Sequence, residues 1–141
     1  MTEPIAFTIP GQPIAKGRPR FTRNGHTYTP QRTQHYEAHV AKTARDAMNG
    51  ADPMDGPVSV SIRFVLKPPT ALRKADREAA ISSRAPATTG SDVDNLAKAI
   101  LDALNDITYR DDRQISRLSL TKEYGREPKV EVFIQKDIAI F

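Results

Sequence analysis

The sequence predicts an α+β fold: a small mixed β-sheet covered mainly on one face by two helices, with a basic hairpin near the N-terminus. Residues 58–66 alternate apolar and polar side chains, which is the period of a strand with one buried face. Residues 92–107 place apolar side chains three and four positions apart, which is the period of an amphipathic helix. The order of elements is strand, hairpin, helix, long strand, helix, strand and strand. That order favours a mixed sheet with its helices on one side.

The composition is typical of an intracellular protein with one domain. A chain of 141 residues is long enough for a single core, and we expect residues 1–141 to form one domain. Because there is no cysteine, disulfides and cysteine-based zinc sites are excluded. No apolar run approaches membrane-spanning length and no signal peptide is recognisable, so we expect a cytoplasmic location without membrane contact.

The excess positive charge is concentrated in the N-terminal third of the chain. The net charge is +4; residues 1–50 carry seven Lys or Arg against three Asp or Glu, and the remaining residues carry fourteen of each. A generic solubilising surface explains the net value but not this segregation. Basic charge apart from acidic residues is the arrangement that a metal-dependent nuclease needs, because one part holds phosphates and the other cuts.

Two strand patterns precede the first helix. Residues 5–9 are rich in apolar side chains at alternate positions and stop at a Pro-Gly pair, which indicates a first strand. The Asn-Gly pair at 24–25 is a strong signal for a two-residue hairpin loop. This loop predicts a register in which Phe21 lies opposite Tyr28.

We interpret the basic segment around this hairpin as a finger that holds DNA phosphates. Its two aromatic residues either pin the hairpin to the body or stack on a base exposed at a branch point, and we favour the first. The predicted DNA-binding residues are Lys16, Arg18, Arg20, Arg23 and, on the following helix, Arg32.

The first helix is predicted to begin with Thr29 as N-cap and Pro30 as its first residue, and to end near Met48. His35 and His39 are four residues apart and raise the alternative of a zinc site. No third ligand is evident nearby, so we favour a polar surface that faces solvent or DNA. The predicted buried stripe is Tyr36, Val40, Ala44 and Met48.

The remaining elements follow from composition and periodicity. Residues 70–91 are predicted to form a short surface helix and then a mobile connection to the next helix. Residues 115–124 and 129–135 are predicted strands, the second with a buried face of Val130, Val132 and Ile134.

Acidic residues cluster around the second amphipathic helix. Asp92 suits its N-cap, where the side chain accepts backbone N–H bonds, and Asp94 and Lys98 are neighbours on the helix surface. The pair Asp111-Asp112 follows soon after the helix. Such carboxylates suit Mg²⁺ or Mn²⁺, and a metal so placed can polarise a phosphodiester and generate hydroxide.

The alternative reading of this cluster is structural. Asp92 and Asp94 then only cap the helix, and Lys98 only pairs with Asp94. The return of acidic residues one helix later favours the metal site.

Residues 92–104, followed by 109–115, resemble the signature of the RusA family of Holliday-junction resolvases, and so does the segment Lys16–Arg20. The shared pattern is D-x-D-N-L-x-K-x-x-x-D-x-L with D-D-x-Q downstream. One departure is the Thr-Thr-Gly-Ser run before Asp92, where a basic residue and a proline are expected. The resemblance leaves the role of Asp111 open. It implies that the metal ligands are Asp92, Asp94 and Asp112, and that Lys98 is catalytic.

By this resemblance the protein is a Mg²⁺-dependent endonuclease, with Mn²⁺ as an alternative metal and no nucleotide cofactor. It would resolve four-way DNA junctions by paired symmetric nicks, as a homodimer, in recombination and repair. The residues alone reach only a metal-dependent phosphodiesterase acting on nucleic acid. Two alternatives remain. One is a nuclease of broader substrate specificity that cuts flaps and branched DNA, and the other is a non-catalytic DNA-binding module with a structural acidic cluster. Lys98 argues against the second, because a structural carboxylate site gains little from an adjacent ammonium.

Overall fold

The computed structural model describes residues 3–17, 20–28 and 30–137, and only the backbone of residues 20, 21 and 28. The predicted α+β class is confirmed. Its strands are β1 (Ile5–Pro10), β2 (Arg20–Phe21), β3 (Thr27–Tyr28), β4 (Val58–Leu66), β5 (Ile115–Tyr124) and β6 (Lys129–Lys136). Its helices are α1 (Gln31–Met48), α2 (Lys74–Ser83) and α3 (Val93–Ala103), and a 3₁₀ turn covers Asp112–Gln114.

Four of the strands form one mixed sheet in the order β1-β6-β4-β5. The pair β4–β5 is parallel and the other two pairs are antiparallel. Helix α3 lies in the connection between β4 and its parallel neighbour β5. Residues 104–114 link the end of α3 to the start of β5, which is an edge strand. Alternate residues of the two central strands face the core: Val60, Ile62 and Phe64 of β4 lie opposite Ile134, Val132 and Val130 of β6.

Helices α1 and α3 pack against each other over this apolar face of the sheet. Helix α1 buries the predicted stripe, with Thr33 in addition. Helix α3 buries Leu96, Ala97, Ala99 and Ile100. Helix α2 has no buried residue, which agrees with its prediction as a surface helix.

Three local predictions need correction. Helix α1 begins at Gln31, and Pro30 is its N-cap rather than its first residue; Thr29, the predicted N-cap, lies outside the described residues. The predicted hairpin register is also wrong by one position, because Tyr28 lies opposite Arg20 and not opposite Phe21. The loop has three residues, closed by a Thr22 N–H bond to the His26 carbonyl, with Gly25 at a positive φ of 79°.

The third correction concerns residues 84–91, predicted to be a mobile connection. This segment is hydrogen-bonded along the outer edge of β5: the Ala87 N–H donates to the Lys122 carbonyl at 2.9 Å, and the Tyr124 N–H donates to the Ala85 carbonyl at 2.9 Å. The ammonium of Lys122 also donates to the carbonyls of Thr89 and Ser91, at 3.0 Å each. The backbone that leads into α3 is therefore held in place.

Across the part of the chain that the structure describes, no helix has the combination of length and apolar character needed to span a bilayer.

Candidate active site

The N-terminus of α3 presents two carboxylates to solvent. Asp92 is the N-cap residue, as predicted, and its carbonyl accepts the Leu96 N–H at 3.0 Å. Its side chain, however, makes no capping hydrogen bond. The prediction that this carboxylate accepts backbone N–H bonds of the helix is therefore wrong. Because the apolar face of α3 is buried against the core, Asp94 and Lys98 lie on its exposed side. Both carboxylates remain available for another partner.

A buried tyrosine fastens the second acidic segment to α3. Tyr109 is fully buried, and its hydroxyl donates to the Leu101 carbonyl at 2.7 Å. Burial raises the pKa of Tyr109 well above its ordinary value, and the nearby charges of Asp112, Asp102 and Asp111 act in the same direction. The phenol therefore stays a neutral donor, and the turn that follows it is held against the end of the helix.

Within that turn the two adjacent aspartates have different roles. The Asp111 carboxylate accepts the Arg113 N–H at 2.9 Å and completes a capping box with Gln114, whose side chain accepts the Asp111 N–H. Gln114 also donates to the carbonyls of Met54 and Gly56, which ties the turn to the segment before β4. The Asp112 carboxylate makes no hydrogen bond of this kind within the described chain. The geometry thus assigns turn formation to Asp111 and leaves the carboxylate of Asp112 for the site.

A cleft of about 200 Å³ brings three of the four predicted catalytic residues together. Asp94 and Lys98 come from α3, and Asp112 comes from the turn before β5. Asp92 is not among the lining residues. The remaining lining residues are Asp102 and the apolar Ala97, Leu101, Leu118 and Leu120.

The donor chemistry of this cleft fits a hard divalent cation. Asp92, Asp94 and Asp112 make no hydrogen bond or ion pair with any side chain that the structure describes. Mg²⁺ usually takes only one or two carboxylates and fills its other positions with water and phosphate oxygens. Among residues 3–17, 20–28 and 30–137, no three acidic or histidine side chains converge as a ready-made metal site. Asp94 and Asp112 provide the two carboxylates that such an ion needs, and metal ligation by Asp92, Asp94 and Asp112 stays a prediction.

Lys98 is paired differently from the expectation. Its ammonium lies 3.2 Å from both carboxylate oxygens of Asp102, one turn later, and not against Asp94. The structural reading in which Lys98 neutralises Asp94 is therefore wrong. Asp94 is left free on the cleft side.

Lys16 is the predicted phosphate ligand with the most defined surroundings. Its ammonium binds the carboxylate of Glu37 on α1 and lies 3.3 Å from Asp102 on α3. Partial burial acts to lower the pKa of Lys16, but the hydrogen bonds and charges of Glu37 and Asp102 outweigh it, so the pKa is raised. Lys16 therefore remains charged across the neutral range and joins two helices. Its contact with DNA stays a prediction.

The other predicted DNA-binding residues are described unequally. Arg23 on the hairpin loop and Arg32 on α1 are exposed. Arg18 lies outside the described residues, and only the backbone of Arg20 is described. Phosphate contact by these four arginines stays a prediction.

Sequence reasoning assigns no role to Glu37, Asp102, Tyr109 or Gln114, which shape this site. Asp102 and Gln114 do stand in the shared pattern, and their spacing was a usable signal. Asp102 lies four residues after Lys98, which brings the two side chains together on a helix, and Gln114 lies three residues after Asp111, which is the spacing of a capping box. Glu37 gave no such signal, since its partner Lys16 is distant in the chain.

Comparison with known proteins bears on the same region. Residues 10–135 match the model of a family described as Endodeoxyribonuclease RusA. The chain is also 36% identical over 137 residues to the uncharacterized protein YqaN of Bacillus subtilis (strain 168), covering 94% of this chain and 96% of the relative. The family match includes β2 to β5 and every residue of the cleft.

Proposed function

The chain belongs to the RusA endodeoxyribonuclease family, and from that premise we propose that it resolves four-way DNA junctions by metal-dependent hydrolysis. The observation that carries this proposal is the cleft shared by Asp94, Lys98 and Asp112. Asp94 and Asp112 have no described partner, whereas Asp102, which also lines the cleft, and the adjacent Asp111 are both engaged. A phosphodiesterase site of this class needs free carboxylates beside a cation.

We assign the roles within the site as follows. Asp94 and Asp112, with Asp92 at the helix N-cap, would hold Mg²⁺, and Mn²⁺ would be accepted by the same oxygen ligands. A bound divalent ion of this kind supplies Lewis acidity toward a phosphodiester and a hydroxide near neutral pH. Lys98 would stabilise charge on the scissile phosphate or orient the attacking water. Its position on the cleft wall, one turn after Asp94, supports this role.

The DNA would be held by the basic residues of positions 16–32, which are Lys16, Arg18, Arg20, Arg23 and Arg32. The absence of any Asp or Glu between positions 16 and 32 supports phosphate contact by this segment. A four-way junction has approximate two-fold symmetry, and its resolution requires two opposed nicks. Since the described part of one chain supplies one such cleft, we propose a homodimer that makes paired symmetric nicks in recombination and repair.

The proposal is tested by offering purified protein a synthetic four-way junction, a 5′ flap and a linear duplex of matched sequence, each with and without Mg²⁺. We expect cleavage of the junction in Mg²⁺ and little cleavage of the linear duplex. Equal rates on junction and flap would replace junction resolution with a broader branched-DNA nuclease. Binding without cleavage of any substrate, in Mg²⁺ or Mn²⁺, would contradict enzymatic function altogether.

The dimer is tested by mixing. Asp94→Asn removes a carboxylate charge with little change of shape, so wild-type protein with an excess of this variant should form heterodimers that bind junctions and nick only one strand. Denaturing electrophoresis with each strand separately labelled distinguishes single from paired nicks. Paired nicking at the undiluted wild-type rate, or sedimentation as one chain at micromolar concentration, would contradict the dimer.

A further inference from the structure

Four charged side chains of alternating sign form a continuous row that ends in the cleft. Glu37 binds Lys16, Lys16 lies 3.3 Å from Asp102 Oδ2, and Lys98 lies 3.2 Å from the same oxygen. The row connects α1, the N-terminal segment and α3. Its total charge is zero, so each ammonium is balanced by an adjacent carboxylate.

The inner members of this row are held firmly. The side chains of Lys16, Glu37 and Asp102 are only 21%, 21% and 23% exposed. The Lys16 backbone N–H donates to the Asn95 carbonyl at 3.0 Å, so this residue is fixed to α3 through its main chain as well.

The next residue adds a further constraint. The Gly17 N–H donates to Thr33 Oγ1 at 3.0 Å. A Cβ atom on Gly17 would lie 2.8 Å from that oxygen and 2.9 Å from Pro30 Cγ, closer than real Cβ contacts allow. The close approach of this segment to α1 therefore requires glycine, and it places the preceding lysine between the two helices.

We propose that Asp102 is a positioning residue for Lys98, and that Lys16, itself held by Glu37, fixes Asp102. The inference rests on the proposed function, in which Lys98 acts on the scissile phosphate or its attacking water. A lysine stem has four rotatable bonds and loses much conformational freedom when its ammonium is fixed. Asp102 limits that freedom before DNA binds, since it holds the ammonium through both carboxylate oxygens at the wall of the cleft.

The chain contains a matched control for this pair. Lys42 and Asp46 on α1 have the same residue types, the same four-residue spacing and the same 3.2 Å nitrogen–oxygen distance. Their side chains are 76% and 71% exposed, and no third charged group of the described chain joins them. Asp46→Asn thus removes a pair of the same spacing and length, at residues to which no role is assigned.

The cleavage experiment uses Asp102→Asn in the full-length protein under single-turnover conditions with a four-way junction. We expect the cleavage rate to fall about 10- to 100-fold with junction affinity unchanged, because the catalytic ammonium is misplaced rather than lost. Asp102→Glu should recover part of the rate, and Asp46→Asn should cleave as wild type. At saturating junction, where loss of a phosphate contact by Lys16 does not limit the rate, Lys16→Gln should lower the rate less than Asp102→Asn and add little to it in the double variant, since both act through one row.

A readout independent of cleavage follows the ammonium itself. In protein labelled with ¹⁵N-lysine, the Lys98 ammonium resonance should show restricted motion in the wild type and lose that restriction in Asp102→Asn, while Asp46→Asn leaves it unchanged. This spectrum decides the positioning even if the wild type cuts no DNA, in which case only the proposed function has failed. Thermal unfolding identifies any variant that does not fold, and Lys16→Gln then carries the test.

Three results would overturn the proposal. Asp102→Asn that cleaves at the wild-type rate shows that Lys98 needs no positioning partner. Asp102→Asn that cleaves faster shows that Asp102 restrains Lys98 instead of placing it. A Lys98 ammonium that is equally mobile with and without Asp102 removes the physical basis of the inference.

Discussion

Helices α1 and α3 pack on the same face of the sheet, yet only one of them carries the candidate site. Each buries an apolar stripe, and each presents a Lys–Asp pair four residues apart at 3.2 Å. The surroundings differ. Asp46 of α1 is 71% exposed, whereas Asp102 of α3 is 23% exposed and is shared with Lys16. The first turn of α1 contains no acidic residue, whereas that of α3 contains Asp94.

The four-residue spacing of a Lys–Asp pair within a helix therefore does not by itself identify a functional pair. Exposed pairs of the Lys42–Asp46 kind contribute about 0.3–0.5 kcal/mol to a helix and need no further purpose. The pair in α3 is distinguished by what tertiary structure adds: a second ammonium from the N-terminal segment and an acidic turn fastened by Tyr109. Of the three carboxylates that line the cleft, Asp94 and Asp112 are free and Asp102 is engaged.

The largest difference between the two helices is expected in the cleavage rates of variants at Lys98 and Lys42. Lys98→Ala should lower the single-turnover cleavage rate about 100- to 1,000-fold, the range for removing one group that stabilises developing charge, with junction affinity little changed. Lys42→Ala removes the same charge from α1 and should cleave at the wild-type rate. Measurement of both rates at saturating junction settles the contrast, and equal rates would return Lys98 to the status of a surface ion pair.

The smallest effect concerns the two ends of α1. Arg32 lies in the first turn, next to the basic segment, and Arg45 lies in the last turn. Arg32→Ala should weaken junction binding and reduce the slope of log affinity against log salt by about one for each phosphate contact that is lost. Arg45→Ala should leave the slope unchanged. Fluorescence anisotropy over a range of salt concentrations measures both, and an unaltered slope for Arg32→Ala would remove this end of α1 from the interface.

Most of the fold was predictable because burial imposes a period on the sequence. Strand β4 and the buried stripe of α1 were recognised from alternation and from three-and-four spacing alone. The hairpin register was not, because an Asn-Gly pair also fits a three-residue loop with Gly25 at positive φ. Residues 84–91 were judged mobile from composition, whereas their order comes from backbone hydrogen bonds to β5, which composition does not encode.

The candidate site was predictable only in part, for a similar reason. Asp94, Lys98 and Asp112 were selected from local spacing and resemblance, and the cleft contains all three. The resemblance names Asp112 and leaves the role of Asp111 open, and only the structure shows that the Asp111 carboxylate caps the turn. The contact between Lys16 and Asp102 joins residues that are distant in the sequence, so no local pattern contained it.

We propose that Asp94 and Asp112, and not the engaged carboxylates near them, bind the divalent ion. Titration of Mn²⁺ followed by electron paramagnetic resonance, on protein bound to an uncleavable junction, tests it most directly. We expect Asp94→Asn and Asp112→Asn each to weaken Mn²⁺ binding by about tenfold or more, and Asp111→Asn and Asp46→Asn to bind as the wild type does. Equal Mn²⁺ affinity in all five proteins, or a loss confined to Asp111→Asn, would contradict the claim.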